Sequence, residues 1–188
     1  ANGYALCILD SGADHADLTA EYAAITEELR AVCGCFGKNV LREVPEEAFL
    51  AALPQVRATA GDRAALRAMH VYAENRRAKA QADALRQGDF DGFLALVRAS
   101  GASSAMFLQN VIPTGQTTRQ ELMVTIALCQ ALLGGRGAVR VHGGGFAGTV
   151  QAFVPVELLA GFKANMEAIL GEGRCHVLSI RPEGGAVL

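Results

Sequence analysis

No block of basic residues interrupts this 188-residue sequence, and its formal net charge is -2. Nucleic-acid binding is thereby disfavoured, because neutralising a phosphate backbone takes clustered lysine or arginine. Long apolar runs are missing too. Stretches such as Ile126 to Leu133 fall far short of the ~20 residues that a bilayer-spanning helix needs. Residues 1–9 carry neither the basic stretch nor the cleavage site of a secretory signal, so a cytoplasmic location is expected. A disulfide framework has no support either. The five cysteines (Cys7, Cys33, Cys35, Cys129, Cys175) are odd in number, and only Cys33 and Cys35 lie close. A lone C-x-C lacks the second pair of a zinc site, and reduced thiols, several of them buried, are expected. Charge is sparse at 19 %, whereas hydrophobic residues make up 51 %, enough for a real core in one domain or two small ones. The chain opens on Ala1 without a methionine, and a strand-like run follows almost at once. A processed native chain can start so, and a domain cut from a longer protein often does.

Periodicity predicts the elements. Tyr4 to Leu9 reads as a strand ended by Asp10-Ser11-Gly12. Asp17 is expected to cap a helix whose stripe is Leu18, Tyr22, Ile25, Leu29 and Val32, closed by Gly34 and Gly37. Pro45 opens a short helix that should stop near Pro54. The longest helix should run from Asp62 to Gln87, with Leu66, Met69, Ala73, Ala80 and Ala84 inward. Gly88 then gives a left-handed stop and Asp89 caps the next helix. Residues 101–117 read as irregular, and Thr118-Arg119-Gln120-Glu121 as a capping box for a helix to Leu133. Strands are predicted over Ala138–His142, Thr149–Val154 and Cys175–Ile180, with a helix from Pro155 between the last two. Val187-Leu188 could pair at an edge. One strand, a block of helices, then strand–strand–helix–strand is α+β. The expected fold is an antiparallel sheet of about four strands with helices on one face, ferredoxin-like in its core.

Between two of these strands lies a glycine loop, Gly143 to Gly148, with four glycines in six positions. Gly143-x-Gly145-x-x-Gly148 matches the dinucleotide fingerprint literally, but that loop must lead into a helix, and here β-branched Thr149-Val150 follows. No Lys-Ser or Lys-Thr follows the glycines, which excludes a Walker A loop. A tight hairpin, or a backbone that must come close to a phosphate or another loop, remains. Other polar candidates are weaker. His70 and Glu74 share a helix face but make only two ligands, so an interface hydrogen bond is the better reading. His15 among Asp14 and Asp17 reads as a solvated turn, and Arg76-Arg77 as a charged helix face. His142 adjoins the loop as either a ligand contact or a structural strand histidine. No Ser-His-Asp or Cys-His constellation can be assembled.

The stretch Val141-His142-Gly143-Gly144-Gly145-Phe146-Ala147-Gly148-Thr149 resembles the third conserved motif of the GHMP kinases in its galactokinase form. Ala20-Glu21-Tyr22, with Cys33 eleven residues on, resembles that family's Ser-Glu-Tyr helix. Arg67-Ala68-Met69-His70 with Glu74-Asn75 is similar to its Arg-x-x-His…Glu-Asn helix, and Gln87-Gly88-Asp89-Phe90 to its helix junction. These signs keep the family's order and spacing over nearly the whole chain.

The resemblance implies that residues 1–188 are the C-terminal domain of a two-domain kinase that transfers the γ-phosphate of Mg-ATP to the anomeric hydroxyl of galactose. The family's sugar motif, phosphate-gripping loop and catalytic aspartate belong to the N-terminal domain, which is absent here. ATP and Mg²⁺ would be bound mainly by that missing domain, and this chain would hold neither a catalytic residue nor a metal ligand. It would contribute Tyr22 as a hydrogen-bonding sugar contact. Gly143, Gly144, Gly145, Phe146, Ala147 and Gly148 would close near the phosphates. The partners implied are sugar, ATP and the protein's own N-terminal domain, with no nucleic acid and no membrane. Alone, the chain is expected to fold without activity, to expose an apolar patch near Tyr4–Leu9 and the glycine loop, and to self-associate through it. Three departures bear on specificity. Ala147 replaces a glycine. Ala23, Ala24 and Ile25 stand where an arginine pair normally follows the tyrosine. Ser103 to Asn110 replaces a charged Ser-x-Arg-Asp stretch. Alternatives are a GHMP kinase for another small alcohol, or a non-catalytic sugar or nucleotide sensor on the same scaffold.

Overall fold

A computed structural model describes residues 3–14 and 16–180. Strand β1 (Tyr4–Asp10) is followed by helices α1 (Thr19–Gly34), α2 (Glu46–Ala51), α3 (Leu53–Ala60), α4 (Asp62–Gln87), α5 (Phe90–Ser103) and α6 (Glu121–Leu133). Then come β2 (Ala138–Val141), β3 (Thr149–Pro155), α7 (Leu159–Leu170) and β4 (Cys175–Leu178). The sheet order is β2-β3-β1-β4, antiparallel throughout. That order is the ferredoxin-like arrangement, with the block α1–α6 in place of the first crossing helix and α7 as the second.

Alternation along the strands sets the layers. Cys7, Leu9, Val139, Val141, Val150, Ala152 and Val154 point to one face, where they meet Leu122, Ile126 and Cys129 of α6 and Phe162 and Met166 of α7. The expected helical layer is this one. Side chains of the opposite parity, Tyr4, Leu6, Ala138 and Phe153, meet Phe90, Phe93, Leu94 and Val97 of α5 on the other face. The helical block has its own core of Val32, Cys33, Phe49, Val56, Ala64, Ala65 and Ala68. Each fully buried aliphatic or aromatic side chain there contributes about 1.5–3 kcal/mol of transfer free energy. All five cysteines are free thiols, four of them buried.

Helix α4 has the predicted limits, and its end shows why. Gly88 is left-handed at φ 72°, and the N–H groups of Gly88 and Asp89 return to the carbonyls of Leu85 and Ala84 at 3.2 and 2.9 Å. The Asp89 carboxylate then accepts from the N–H of Gly92 at 2.9 Å and starts α5.

Several expectations are corrected. Asp17 does not cap α1: it lies at φ 62°, and Leu18 occupies the cap without a side-chain bond. The short helix opened by Pro45 does end near Pro54, at Ala51, but a helix that was not expected, α3, begins there with Pro54 in its first turn, where its missing N–H costs nothing. The buried residues of α4 are Ala64, Ala65, Arg67, Ala68, His70 and Ala84; of the predicted stripe Ala84 is buried and Met69 packs against the core only in part, whereas Leu66 is not buried. Residues 101–108 are not irregular: α5 passes through Gly101 and continues into a π turn, Ser104–Leu108. A methyl at Gly101 would lie 2.8 Å from the carbonyl oxygen of Val139, so that glycine is there for close helix–strand packing. The capping box of α6 does not form; Glu121 instead pairs with Arg119 at 2.8 Å. Strand β1 is an inner strand between β3 and β4 with Cys7 and Leu9 fully buried, so it is not an exposed docking patch. Exposed apolar side chains are scattered instead, among them Val40, Met106, Val124, Val156 and Ile169, with Val177, Leu178 and Ile180 on and beyond β4. Val187-Leu188 and His15 fall outside the described residues.

Candidate functional site

The glycine loop joins β2 to β3 with positive φ at Gly143 (74°), Gly145 (85°), Phe146 (59°) and Gly148 (81°). It leads into a strand, so no helix N-terminus receives a pyrophosphate and the dinucleotide reading fails. Gly143 and Gly144 are exposed, whereas Gly145, Phe146 and Ala147 are buried. Phe146 is a non-glycine residue in the left-handed region, a conformation that costs about 1–2 kcal/mol and must be held by its surroundings.

Three segments hold it. From α1, the half-buried Tyr22 donates its hydroxyl to the carbonyl of Gly145 at 2.8 Å. Its ring meets Phe146 edge-on, with centroids 5.4 Å apart at 82°, and burial pushes its phenol up from the ordinary tyrosine range. From the stretch after the π turn, Asn110 donates from Nδ2 to the carbonyl of Gly144 at 3.0 Å, and its backbone oxygen accepts from the N–H of Phe146 at 2.5 Å. From the end of β1, Ser11 donates its N–H and its hydroxyl to the carbonyl of Gly148, at 3.0 and 2.6 Å. The structure thus brings Tyr22 and residues 143–148 together, a contact that the sequence did not predict. Asn110 and Ser11 had no signal in pattern or spacing, because both act through geometry that a periodic reading does not see.

A second tier fixes these segments. Thr114 donates its N–H and hydroxyl to the Glu21 carboxylate, at 2.7 and 3.1 Å. Glu28 on α1 receives Arg67 at 2.8 Å and Arg63 at 2.5 Å, both from α4. Arg67, with no exposed surface, also donates to the carbonyl of Leu108 at 3.0 Å. A cleft of about 450 Å³ opens beside this framework, bordered by Glu21, Thr114, Arg119, Glu121, Leu122 and Phe146. Tyr22 is not among its lining residues, although the adjacent Glu21 is.

The remaining candidates are engaged with neighbouring side chains. The ring of His70 is buried against the Ser103 hydroxyl at 2.9 Å, and burial holds it below the usual histidine range. Glu74 takes Ser100 at 2.5 Å, Arg77 at 2.7 Å and Arg140 at 3.4 Å. Burial pushes its carboxyl up, but these donors outweigh it and leave it below the ordinary range. Arg76 pairs with Glu46 at the surface. His142 is exposed and meets Gln151 across the hairpin at 3.3 Å. Among the described residues, no three His, Cys, Asp or Glu side chains converge on a metal-sized site, and no helix is long and apolar enough to cross a membrane.

No family model matches the chain. It is 30 % identical over 156 residues to the galactokinase of Actinobacillus pleuropneumoniae, covering 83 % of this chain and 38 % of that protein. To the galactokinase of Mannheimia succiniciproducens it is 33 % identical over 153 residues, 81 % of this chain and again 38 % of the relative. The chain thus spans well under half the length of these relatives. The crystal structure of Lactococcus lactis galactokinase complexed with galactose superposes with a TM-score of 0.68 at 24 % identity, over 93 % of this chain and 45 % of that one. By its sequence relatives and its fold, the chain is similar to the C-terminal part of galactokinases, as a galactokinase-like GHMP kinase fragment would be.

Proposed function

We propose that this chain is the C-terminal domain of an ATP-dependent sugar 1-kinase, with galactose as substrate and galactose 1-phosphate and ADP as products. The observation that carries the reading is the glycine loop tied to Tyr22 through Gly145, in a chain related to galactokinases along most of its length. Tyr22 is the sugar contact. Its hydroxyl donates to Gly145, and a phenolic oxygen that donates can still accept from a sugar hydroxyl. The same side chain therefore links the sugar to the loop. The loop lies against the phosphates, where glycine lets backbone approach closely. ATP and Mg²⁺ are held mainly by a further domain of the parent protein, in keeping with relatives more than twice the length of this chain. Bound there, Mg²⁺ supplies charge neutralisation for the transferring phosphoryl group.

Alone, the chain would hold one sugar contact and one side of a phosphate site. A single neutral hydrogen bond cannot offset the entropy of immobilising a hexose. Calorimetric titration of this chain with galactose or Mg-ATP is expected to show no micromolar binding. For the parent protein, the test is incubation with Mg-ATP and a panel of hexoses, reading ADP release and the anomeric phosphate by ³¹P NMR. Phosphorylation of no sugar would refute the reading. The panel must extend beyond galactose, because the stretch that replaces the family's charged motif exposes Met106 and Phe107. An apolar surface of that kind favours a small alcohol other than galactose as the second reading.

A further inference from the structure

We propose that Asn110 is a positioning residue of the glycine loop, acting through the loop on the transferred phosphate; this rests on the kinase reading above. Asn110 is 2 % exposed and follows Gln109, which is itself left-handed at φ 56° after the π turn. It grips two successive peptides. Its Nδ2 takes the carbonyl of Gly144, and its backbone oxygen takes the N–H of Phe146. There is no room for slack: a methyl at Gly145 would stand 2.0 Å from that backbone oxygen and 2.6 Å from Nδ2. The first grip sets an orientation. In a trans peptide the N–H points opposite to the C=O. With the carbonyl of Gly144 turned to Asn110, the N–H of Gly145 points away from it, and among the described residues no acceptor takes that N–H. A preset amide of this kind is what a developing phosphoryl oxygen needs, because it requires no reorganisation at the moment of transfer. Tyr22, holding the carbonyl of Gly145, fixes the next peptide from the other side. The two side chains therefore divide the work: one addresses the sugar and the loop, the other the loop alone.

Hydrogen exchange on this chain and kinetics on the parent protein test the assignment. In the wild-type chain, the amide of Phe146 should exchange slowly and that of Gly145 fast; equal protection of the two overturns the orientation. Asn110→Ala should speed exchange across residues 144–147. In the parent it should lower kcat by about 2- to 12-fold, the value of one hydrogen bond, with the sugar KM unchanged. Asn110→Asp should behave like the alanine variant when ionised. At low pH its protonated carboxyl can donate to Gly144 again, so loop protection should return. An unchanged kcat in Asn110→Ala, or loop protection relative to the intrinsic exchange rate that does not change with pH in Asn110→Asp, overturns the proposal. The exchange readout needs no activity. A parent that phosphorylates nothing would sink the kinase reading, whereas an active parent indifferent to Asn110 would sink this one.

Discussion

Replacing Gly145 with alanine should damage the loop far more than the same change two residues earlier. Both glycines are left-handed, Gly143 at φ 74° and Gly145 at φ 85°. Each alanine therefore carries a conformational cost of about 1–2 kcal/mol. At Gly143 nothing lies within 4 Å of the new methyl, so the cost ends there. At Gly145 the methyl would meet the Asn110 carbonyl oxygen at 2.0 Å. That oxygen is backbone, buried, and already bonded to Phe146, so it cannot rotate aside. The loop must leave Asn110, losing the bonds to Gly144 and Phe146 and loosening the one from Tyr22. At about 1 kcal/mol for each bond, and more for buried groups left unpaired, the total for Gly145→Ala is about 3–5 kcal/mol. Gly144→Ala should also cost far less than Gly145→Ala: Gly144 is not left-handed, and its methyl would lie 3.0 Å from Tyr22 Cε1, a ring that can shift by tenths of an ångström. Urea unfolding of the three variants, compared through midpoint and slope, measures the order. If Gly145→Ala costs no more than Gly143→Ala, the tight contact with Asn110 does not exist and the positioning argument falls with it.

Other outcomes follow from the same framework. On the proposed kinase reading, Tyr22→Phe in the parent protein should raise the sugar KM about 2- to 12-fold, the loss of a hydrogen bond of roughly 0.5–1.5 kcal/mol; an unchanged KM removes Tyr22 from the sugar site. Glu28→Gln should destabilise the chain by about 3 kcal/mol or more, because it removes the charge that compensates the buried Arg67, and a denaturation midpoint within error of wild type would contradict this. His70 titrates below its unfolded value because burial disfavours the cation. Its neutral form therefore supports the fold fully above pH ~6.5, and stability falls as pH drops below that value toward the folded pKa. In His70→Gln the slope of stability against pH between about 6.5 and 5 should flatten. An identical slope in variant and wild type would mean that other groups dominate acid unfolding.

Much of the fold was legible because its boundaries carry local chemistry. Helix α4 was readable to the residue because Gly88 and Asp89 satisfy its last carbonyls and the next helix's first amide. The β2–β3 hairpin was readable because β-branched residues flank a glycine run that only a turn can use. What failed were signals with two meanings. Pro54 can end one helix or begin another, and here Ala52 closes α2 and caps α3 at once. Gly101 reads as a breaker unless the backbone of β2 passes against it. The inward stripe of α4 was misassigned in part because a buried arginine does not register as apolar, yet Arg67 is fully buried on that helix. In the site, Tyr22 and the loop were visible through resemblance. Asn110 was not, because its role comes from a π turn and a left-handed Gln109 that no propensity encodes.

Arg67 explains why the two sides of the site belong together. Tyr22 rides on α1 and Asn110 on the stretch after the π turn, segments about ninety residues apart in the chain and in different structural layers. The guanidinium of Arg67 is bonded to both: to Glu28 of α1 at 2.8 Å, and to the carbonyl of Leu108, two residues before Asn110, at 3.0 Å. Burial depresses its tendency to stay protonated, and Glu28 opposes that. A lysine could reach one of these partners but not present a planar fork to both. Its Nη2 is buried without a partner among the described residues, an expense that a purely structural core would avoid with an apolar side chain. Through these bonds Arg67 ties the helix that carries Tyr22 to the segment that carries Asn110. The spacing of the two sets the gap in which the glycine loop sits. The arginine in the helix and the glycines in the loop are thus two parts of one geometric requirement, although neither touches the other.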